Sequence, residues 1–507
     1  MSSRLVGLAT AALLLGSTTA LVGCEGEKGP KGDTGVAGPQ GPQGPQGPTA
    51  VIPDAGVPDP GPGALASAHE AAHQAGTPHA DRVIFFLGDG MGIPVVTAAR
   101  IFARGEDGEL TLDTLPETGF VRTYSRDSRV TDSAPSMSAY MTGVKMNNDV
   151  LSMSPETAFN GKGSAVPTFL EWAEAAGWST GVVTTTRVTH ATPAATYSHI
   201  SNRDLEEAIA QQLVPGAPGS NSSLGDGLEV ILGGGSKQFT TRADKRDLVA
   251  ELKARGYGYV TQAAQLQDLP LSGEPKQKVL GLFTESHMSY ELNRDPAREP
   301  SLAQMAVKAV QVLDQNPKGF FLMVEGGRID HALHETTAKK ALKDTVAFDE
   351  ALAAVLAEVK KKDPTLAHTL VVLTSDHDHT LVHLGYAKRT GATTATNAGV
   401  LGLVRNYAGA AEGAPTLDAD GQPYTILGFG NGERRVMGSR AFAPTLTEDL
   451  TAGDEYHQEA AIHMPTGAET HGGTDVTIRA VGFGSEQFHG FMTNTEVFGL
   501  LRNASKL

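Results

Sequence analysis

Short apolar runs recur along this chain, each closed by glycine or a polar turn and followed at once by residues able to bind a cation. Val83-Ile84-Phe85-Phe86-Leu87 leads into Gly88-Asp89-Gly90, and Phe320-Phe321-Leu322-Met323-Val324 leads into Glu325-Gly326-Gly327. Leu370-Val371-Val372-Leu373 leads through Thr374 and Ser375 into Asp376-His377, and Gly181-Val182-Val183 precedes a threonine-rich segment carrying His190 and Thr192. Continuous apolar runs of strand length, rather than alternating ones, predict strands of a parallel sheet buried on both faces. The expected fold is therefore α/β: a large, mostly parallel central sheet flanked by helices on both faces. In such open sheets ligands gather outside the carboxyl ends of the strands, so these acids and imidazoles should converge on one crevice.

The helical signals point to the same place. Val130–Lys145 places Ser133, next to Asp132, at a predicted helix start, with small residues behind it and Pro135 suited to the first turn. Free N–H groups and the positive dipole end there favour an anion and an ionised serine oxygen. Taken alone, Ser133 reads as a helix cap. Asp330 and His334 stand four apart, on one helical face, where both can hold one cation. Glu469-Thr470-His471-Gly472 adds a late loop histidine. Singly, each has a structural explanation, whereas the whole set argues for a shared site. Two phosphate-loop readings fail. Gly88-Asp89-Gly90-Met91-Gly92-Ile93 lacks the last glycine of a dinucleotide fingerprint, and Ser236 separates Gly235 from Lys237 where a P-loop needs them adjacent.

Six motifs together resemble the alkaline phosphatase family, in its order and spacing, from about residue 81 to 482: Gly88–Gly92, Thr131–Ala134, His190–Ala195 with Arg203, Val324–His331 with His334, Ser375–His377, and Glu469–Gly472. The resemblance implies hydrolysis of phosphate monoesters through a phosphoserine on Ser133, with two Zn2+ and one Mg2+. It implies Asp330, His334 and His471 as ligands of one zinc, and Asp376, His377, Asp89 and the Ser133 oxygen as ligands of the other. Asp89, Thr192 and Glu325 are implied for magnesium, Arg203 for gripping the phosphate, and Asp132 for orienting Arg203. A zinc pair about 4 Å apart suits attack and departure of oxygens at phosphorus. Two histidines near the phosphate depart from the best-known bacterial pattern, which has aspartate at 190 and lysine at 331. An imidazole at 190 would let zinc or cobalt compete for the third site, and His331, neutral above about pH 6.5, should hold phosphate less tightly. Pro135 is a further departure. A sulfatase reading fails because position 137 is Met where that pattern requires arginine.

The amino-terminal region indicates export. Residues 1–23 read as a signal peptide, and Leu21-Val22-Gly23-Cys24 resembles a bacterial lipoprotein signal in which Cys24, the only cysteine, becomes lipidated. Glycine then recurs every third residue from 26 to 47. Eight such triplets make a marginal triple helix, so residues 24–66 read as an extended collagen-like stalk, with trimerisation the lesser alternative. The expected location is the bacterial cell envelope, lipid-anchored on its periplasmic or surface face. Residues 67–507 form the expected catalytic domain, with a surface insertion at about 386–462, and a homodimer is the expected assembly. The formal charge of −16 excludes nucleic acid as the main partner. A phosphodiesterase of the same superfamily, or a collagenous lipoprotein with an inactive head, are the alternatives.

Overall fold

The computed structural model describes residues 78–271 and 277–507. The expected signal segment, Cys24 and the expected stalk lie outside the described residues. The strands are β1 (Arg82–Gly88), β2 (Glu117–Arg122), β3 (Ser179–Arg187), β4 (Val230–Gly234), β5 (Gly258–Val260), β6 (Val279–Leu282), β7 (Phe320–Gly326), β8 (Thr369–Thr374), β9 (Asp378–His379), β10 (Leu381–His383), β11 (Leu427–Gly432), β12 (Ala460–His463), β13 (His471–Gly472), β14 (Val476–Gly482) and β15 (Gly490–Thr493). Ten of them form one sheet in the order β15-β2-β14-β8-β1-β7-β3-β4-β6-β5. Every pairing in it is parallel except the two made by β14. The expected α/β architecture is what the chain adopts.

The apolar runs are continuous because each strand faces two cores. Ile84 and Phe86 of β1 enter one core, with Leu322 and Val324 of β7 and Val371 and Leu373 of β8. Val83, Phe85 and Leu87 enter the other, with Phe321, Met323, Leu370 and Val372. On the first face lie α1 (Ile93–Arg104), α3 (Leu302–Leu313) and α5 (Ala338–Val359); on the second lie α2 (Ser133–Thr142) and α6 (Asn494–Ser505). A further helix, α4 (Arg328–His334), follows directly from β7. Phe86 meets Phe348 of α5 edge-on at 5.6 Å between ring centroids, and Phe85 meets Tyr140 of α2 at 5.5 Å. Each such fully buried aromatic contributes about 1.5–3 kcal/mol relative to exposure.

Register then fixes where the polar ends arrive. Leu87 pairs with Glu325 on one side and Thr374 on the other, and Thr184 of β3 also pairs with Glu325. The exits of β1, β3, β7 and β8 therefore lie at one level, and the chain leaves them into the crevice. Two boundaries differ from expectation. β3 runs on to Arg187, absorbing part of the threonine-rich segment, and Glu325 lies within β7 rather than beyond it. Both follow from pairing with long neighbours, which the apolar run alone does not reveal. Residues 386–462 contain much loop. Their β11 and β12 join β10 in a three-stranded sheet. Among the described residues no helix is long and apolar enough to cross a membrane.

Candidate metal and phosphate site

All ten residues of α2 are buried, which explains its run of small and apolar side chains. Its cap is Asp132 rather than Ser133: the Asp132 carboxylate accepts from the Ala134 N–H at 2.7 Å. Ser133 thereby becomes the first helical residue. Its Oγ lies 3.3 Å from His377 Nε2 and 3.5 Å from Asp89 Oδ1. Ser136 Oγ donates to Asp376 O at 2.7 Å and Tyr140 O–H to Ser375 O at 2.8 Å, so the helix is pinned to the exit of β8.

Three groups of ligand-type side chains surround this hydroxyl. Asp89, Asp376 and His377 bring ligand-type atoms within 4.8 Å of one another, with His377 Nε2 at 3.4 Å from both Asp89 Oδ1 and Asp376 Oδ2. Beside them stand Asp330, His334 and His471: Asp330 Oδ1 is 3.3 Å from His334 Nε2 and 3.5 Å from His471 Nε2. The third group contains Asp89, Glu325 and His190, and Thr192 Oγ1 donates to Asp89 Oδ2 at 3.4 Å. Asp89 is common to two groups. The glycines of Gly88–Gly92 make this proximity possible. Gly90 has φ +66°, and a Cβ there would fall 2.5 Å from the His379 ring. A Cβ on Gly92 would fall 1.6 Å from Asp378 Oδ1.

The electrostatics are those of a cation site. Burial and the neighbouring Asp376, Asp330 and Glu325 push the Asp89 carboxyl well above its usual range. Burial likewise pushes Glu325 up to about 7, against the Thr184 and Thr186 hydroxyls. Asp330 goes the other way: its burial is outweighed by His334 and His379, which hold it well below the carboxylate range. Glu325 Oε1, Asp376 Oδ2 and His190 Nδ1 are buried with no hydrogen-bond partner among the described residues. Unpaired carboxylate oxygens crowded at this depth are the donor set that divalent cations satisfy.

Arg203 is held by two neighbours. Its Nη1 donates to Asp132 Oδ1 at 2.9 Å and its Nη2 to His190 Nε2 at 3.0 Å. That second bond uses the Nε2 lone pair, so a neutral His190 ring carries its proton on Nδ1. His331 Nδ1 accepts from Arg328 at 2.7 Å, and burial pushes the His331 pKa down to about 3. Sequence patterning passed over His287, which completes a trio with ring centroids 4.3 Å from His331 and 5.4 Å from His190.

It also passed over His379, and it named Glu469 only as part of a motif, without a role. His379 lies in β9, paired with His471 of β13. Its Nε2 is 2.8 Å from Asp330 Oδ1 and its Nδ1 is 2.6 Å from Glu469 Oε2. The available signal was Asp376-His377-Asp378-His379, where a strand alternation repeats the imidazole two residues on. This chain of contacts holds Asp330 in one orientation. His379→Ala is expected to lower zinc affinity by about 10–100-fold, read by competition with a chromogenic chelator; unchanged affinity would remove His379 from this role.

A family model described as alkaline phosphatase matches residues 80–507. The human tissue-nonspecific alkaline phosphatase isozyme is 36% identical over 451 residues, 81% of each chain. The silkworm Bombyx mori membrane-bound alkaline phosphatase is 34% identical over 464 residues, 83% of this chain and 79% of that one. Among solved structures, Thermus thermophilus alkaline phosphatase aligns with a TM-score of 0.62 at 28% identity, covering 85% of this chain and 92% of that one. A TAB5 alkaline phosphatase variant, described with Mg bound in its M3 site, aligns with a TM-score of 0.60 at 25% identity, covering 85% and 99%. With its fold, its clustered acids and imidazoles and these full-domain likenesses, this chain belongs to the alkaline phosphatase family, hydrolases of phosphate monoesters.

Proposed function

We propose that Ser133 is the nucleophile of a metal-dependent phosphomonoesterase that works through a phosphoserine. The observation that carries this reading is the position of Ser133 Oγ, within 3.5 Å of both His377 and Asp89, at a helix start that also presents Arg203. Asp330, His334 and His471 would hold one zinc, Asp89, Asp376 and His377 with Ser133 a second, and Asp89, Thr192 and Glu325 a magnesium. Imidazole-rich sets suit zinc and the oxygen-rich set suits magnesium. Bound there, such cations supply charge neutralisation and lower the pKa of the oxygens they hold.

The chain's own groups do the rest. The Arg203 guanidinium offers a planar fork for two non-bridging oxygens, and Asp132 holds it there. The start of α2 adds backbone N–H groups beside the attacking oxygen. His190, with its Nε2 occupied by Arg203, serves the third group as an Nδ1–H donor; this argues against the softer third site expected from an imidazole at that position. His331 stays neutral and adds no charge to the phosphate pocket, which favours product release. Ser133→Ala should lower kcat on nitrophenyl phosphate by about 10³-fold or more while leaving the zinc content in place. The wild type should turn over this monoester faster than bis-nitrophenyl phosphate, because Arg203 suits a doubly charged terminal phosphate and the diester carries only one negative charge. Faster turnover of the diester would favour the phosphodiesterase reading, and an unaffected Ser133→Ala would favour an inactive head.

From the signal-like residues 1–23 and the glycine repeat after Cys24 we further infer that the enzyme works outside the cytoplasm, tethered through lipid on Cys24 and raised on a stalk of residues 24–66. A lipid anchor with more than one acyl chain gives stable membrane attachment. Cys24→Ser should therefore move phosphatase activity from the membrane fraction to the soluble one. Activity still sedimenting with membranes would contradict the anchor.

A further inference from the structure

A histidine beside the proposed phosphate pocket has no part in the chemistry above. His287 follows β6 on a short segment that is fixed on two sides. The Met288 N–H donates to Thr185 O of β3 at 3.0 Å. Ser289 donates to Glu299 twice, from its N–H at 2.8 Å and from its hydroxyl at 2.7 Å. Arg187, the last residue of β3, then fixes the ring by donating from Nη1 to His287 Nε2. Its own place is set by Glu206, which accepts from Arg187 Nε at 2.7 Å, from Nη2 at 2.6 Å and from Thr189 Oγ1 at 2.6 Å. A two-point arginine–carboxylate pair adds fixed geometry to its strength.

A guanidinium can only donate, so the Nε2 lone pair accepts and a neutral His287 carries its proton on Nδ1. That Nδ1 is buried and has no hydrogen-bond partner among the described residues. A buried donor left unpaired destabilises a fold, so packing alone would favour an apolar side chain here. What the ring does contact is His331, edge-on with centroids 4.3 Å apart, and His190 at 5.4 Å. Three residues later, the Tyr290 ring centroid lies 3.8 Å from the Arg328 guanidinium carbon, and Arg328 donates to His331 Nδ1 at 2.7 Å. One segment thus bears on His331 twice, directly through His287 and through Tyr290 by way of Arg328.

We propose that His287 is a positioning residue for phosphate: held by Arg187, it keeps the His331 ring in one orientation beside His190, and so sets how tightly phosphate is bound. The proposal rests on the phosphatase reading above. His287 acts on phosphate through His331 and not by touching it. With Nδ1 engaged by Arg328, a neutral His331 has its N–H on Nε2, and a fixed ring offers that donor at one place. A ring free to turn offers it only part of the time, which weakens the complex with phosphate or substrate without touching the nucleophile.

The test compares the wild type with His287→Leu, which fills the space without a nitrogen, and with His287→Gln, whose amide oxygen can still accept from Arg187. His287→Leu should raise both the phosphate inhibition constant and KM for nitrophenyl phosphate about fivefold, with kcat within about twofold. His287→Gln should return both constants to within about twofold of the wild type. Zinc content and melting temperature should match the wild type throughout. If His287→Leu melts early or loses zinc, His287→Asn, polar but too short to reach Arg187, takes its place. An unchanged phosphate constant, equal effects of His287→Leu and His287→Gln, or a fall in kcat alone would overturn the proposal. Calorimetric binding of inorganic phosphate to zinc-loaded Ser133→Ala, with and without His287→Leu, reads the pocket without turnover. If the wild type hydrolysed no monoester, the phosphatase reading would fail, and that binding difference alone would sustain or overturn the role of His287.

Discussion

The structure depends on one constraint: carboxylates delivered to a buried crevice with too few protein cations to balance them. Asp89, Glu325 and Asp376 arrive together because β1, β7 and β8 share a register, and Asp330 joins them from α4. Two like charges about 4 Å apart repel by about 4 kcal/mol at the effective dielectric of a protein near its surface. Arg203 is the guanidinium that meets the Asp132 cap of α2, and it is committed to Asp132 and His190. Burial first, and this crowding after it, raise the Asp89, Glu325 and Asp376 carboxyls. Divalent ions would offset it, and on the proposed reading a phosphate drawn to them would meet Ser133.

The hydrophobic sheet is what makes such crowding tolerable. Each central strand is anchored in two cores, so its exit cannot retreat from its neighbour to relieve repulsion. Packing energy spread over many apolar side chains holds a small polar cluster in an unfavourable state until cations arrive. The contacts of His379 and Glu469 extend the same logic outward, fixing Asp330 through a buried imidazole. Glycines at 90 and 92 remove the side chains that would otherwise fill this space.

Much of this was legible in the chain. Continuous apolar runs such as Val83–Leu87 gave the two-faced strands, and the acids and imidazoles after them gave the crevice. The register that levels Leu87, Glu325 and Thr374 was not legible, because it depends on pairings between segments more than two hundred residues apart. His287 and His379 escaped for a related reason. Each sits in a sequence context that an ordinary solvated histidine could occupy, and only the fold sets them against His331 and Asp330. The helix cap shifted by one residue, from Ser133 to Asp132, since local sequence offers two adjacent cap formers and it is the Asp132 carboxylate that takes the Ala134 N–H.

The central claim is that the clustered acids and imidazoles hold catalytic cations around Ser133. Its most direct test is metal analysis of the purified protein, with monoester turnover followed through chelator titration and metal return. The account predicts two zinc ions per chain, turnover that vanishes as they leave, and recovery when zinc and magnesium are restored. Undiminished turnover by protein shown to be free of metal would contradict it.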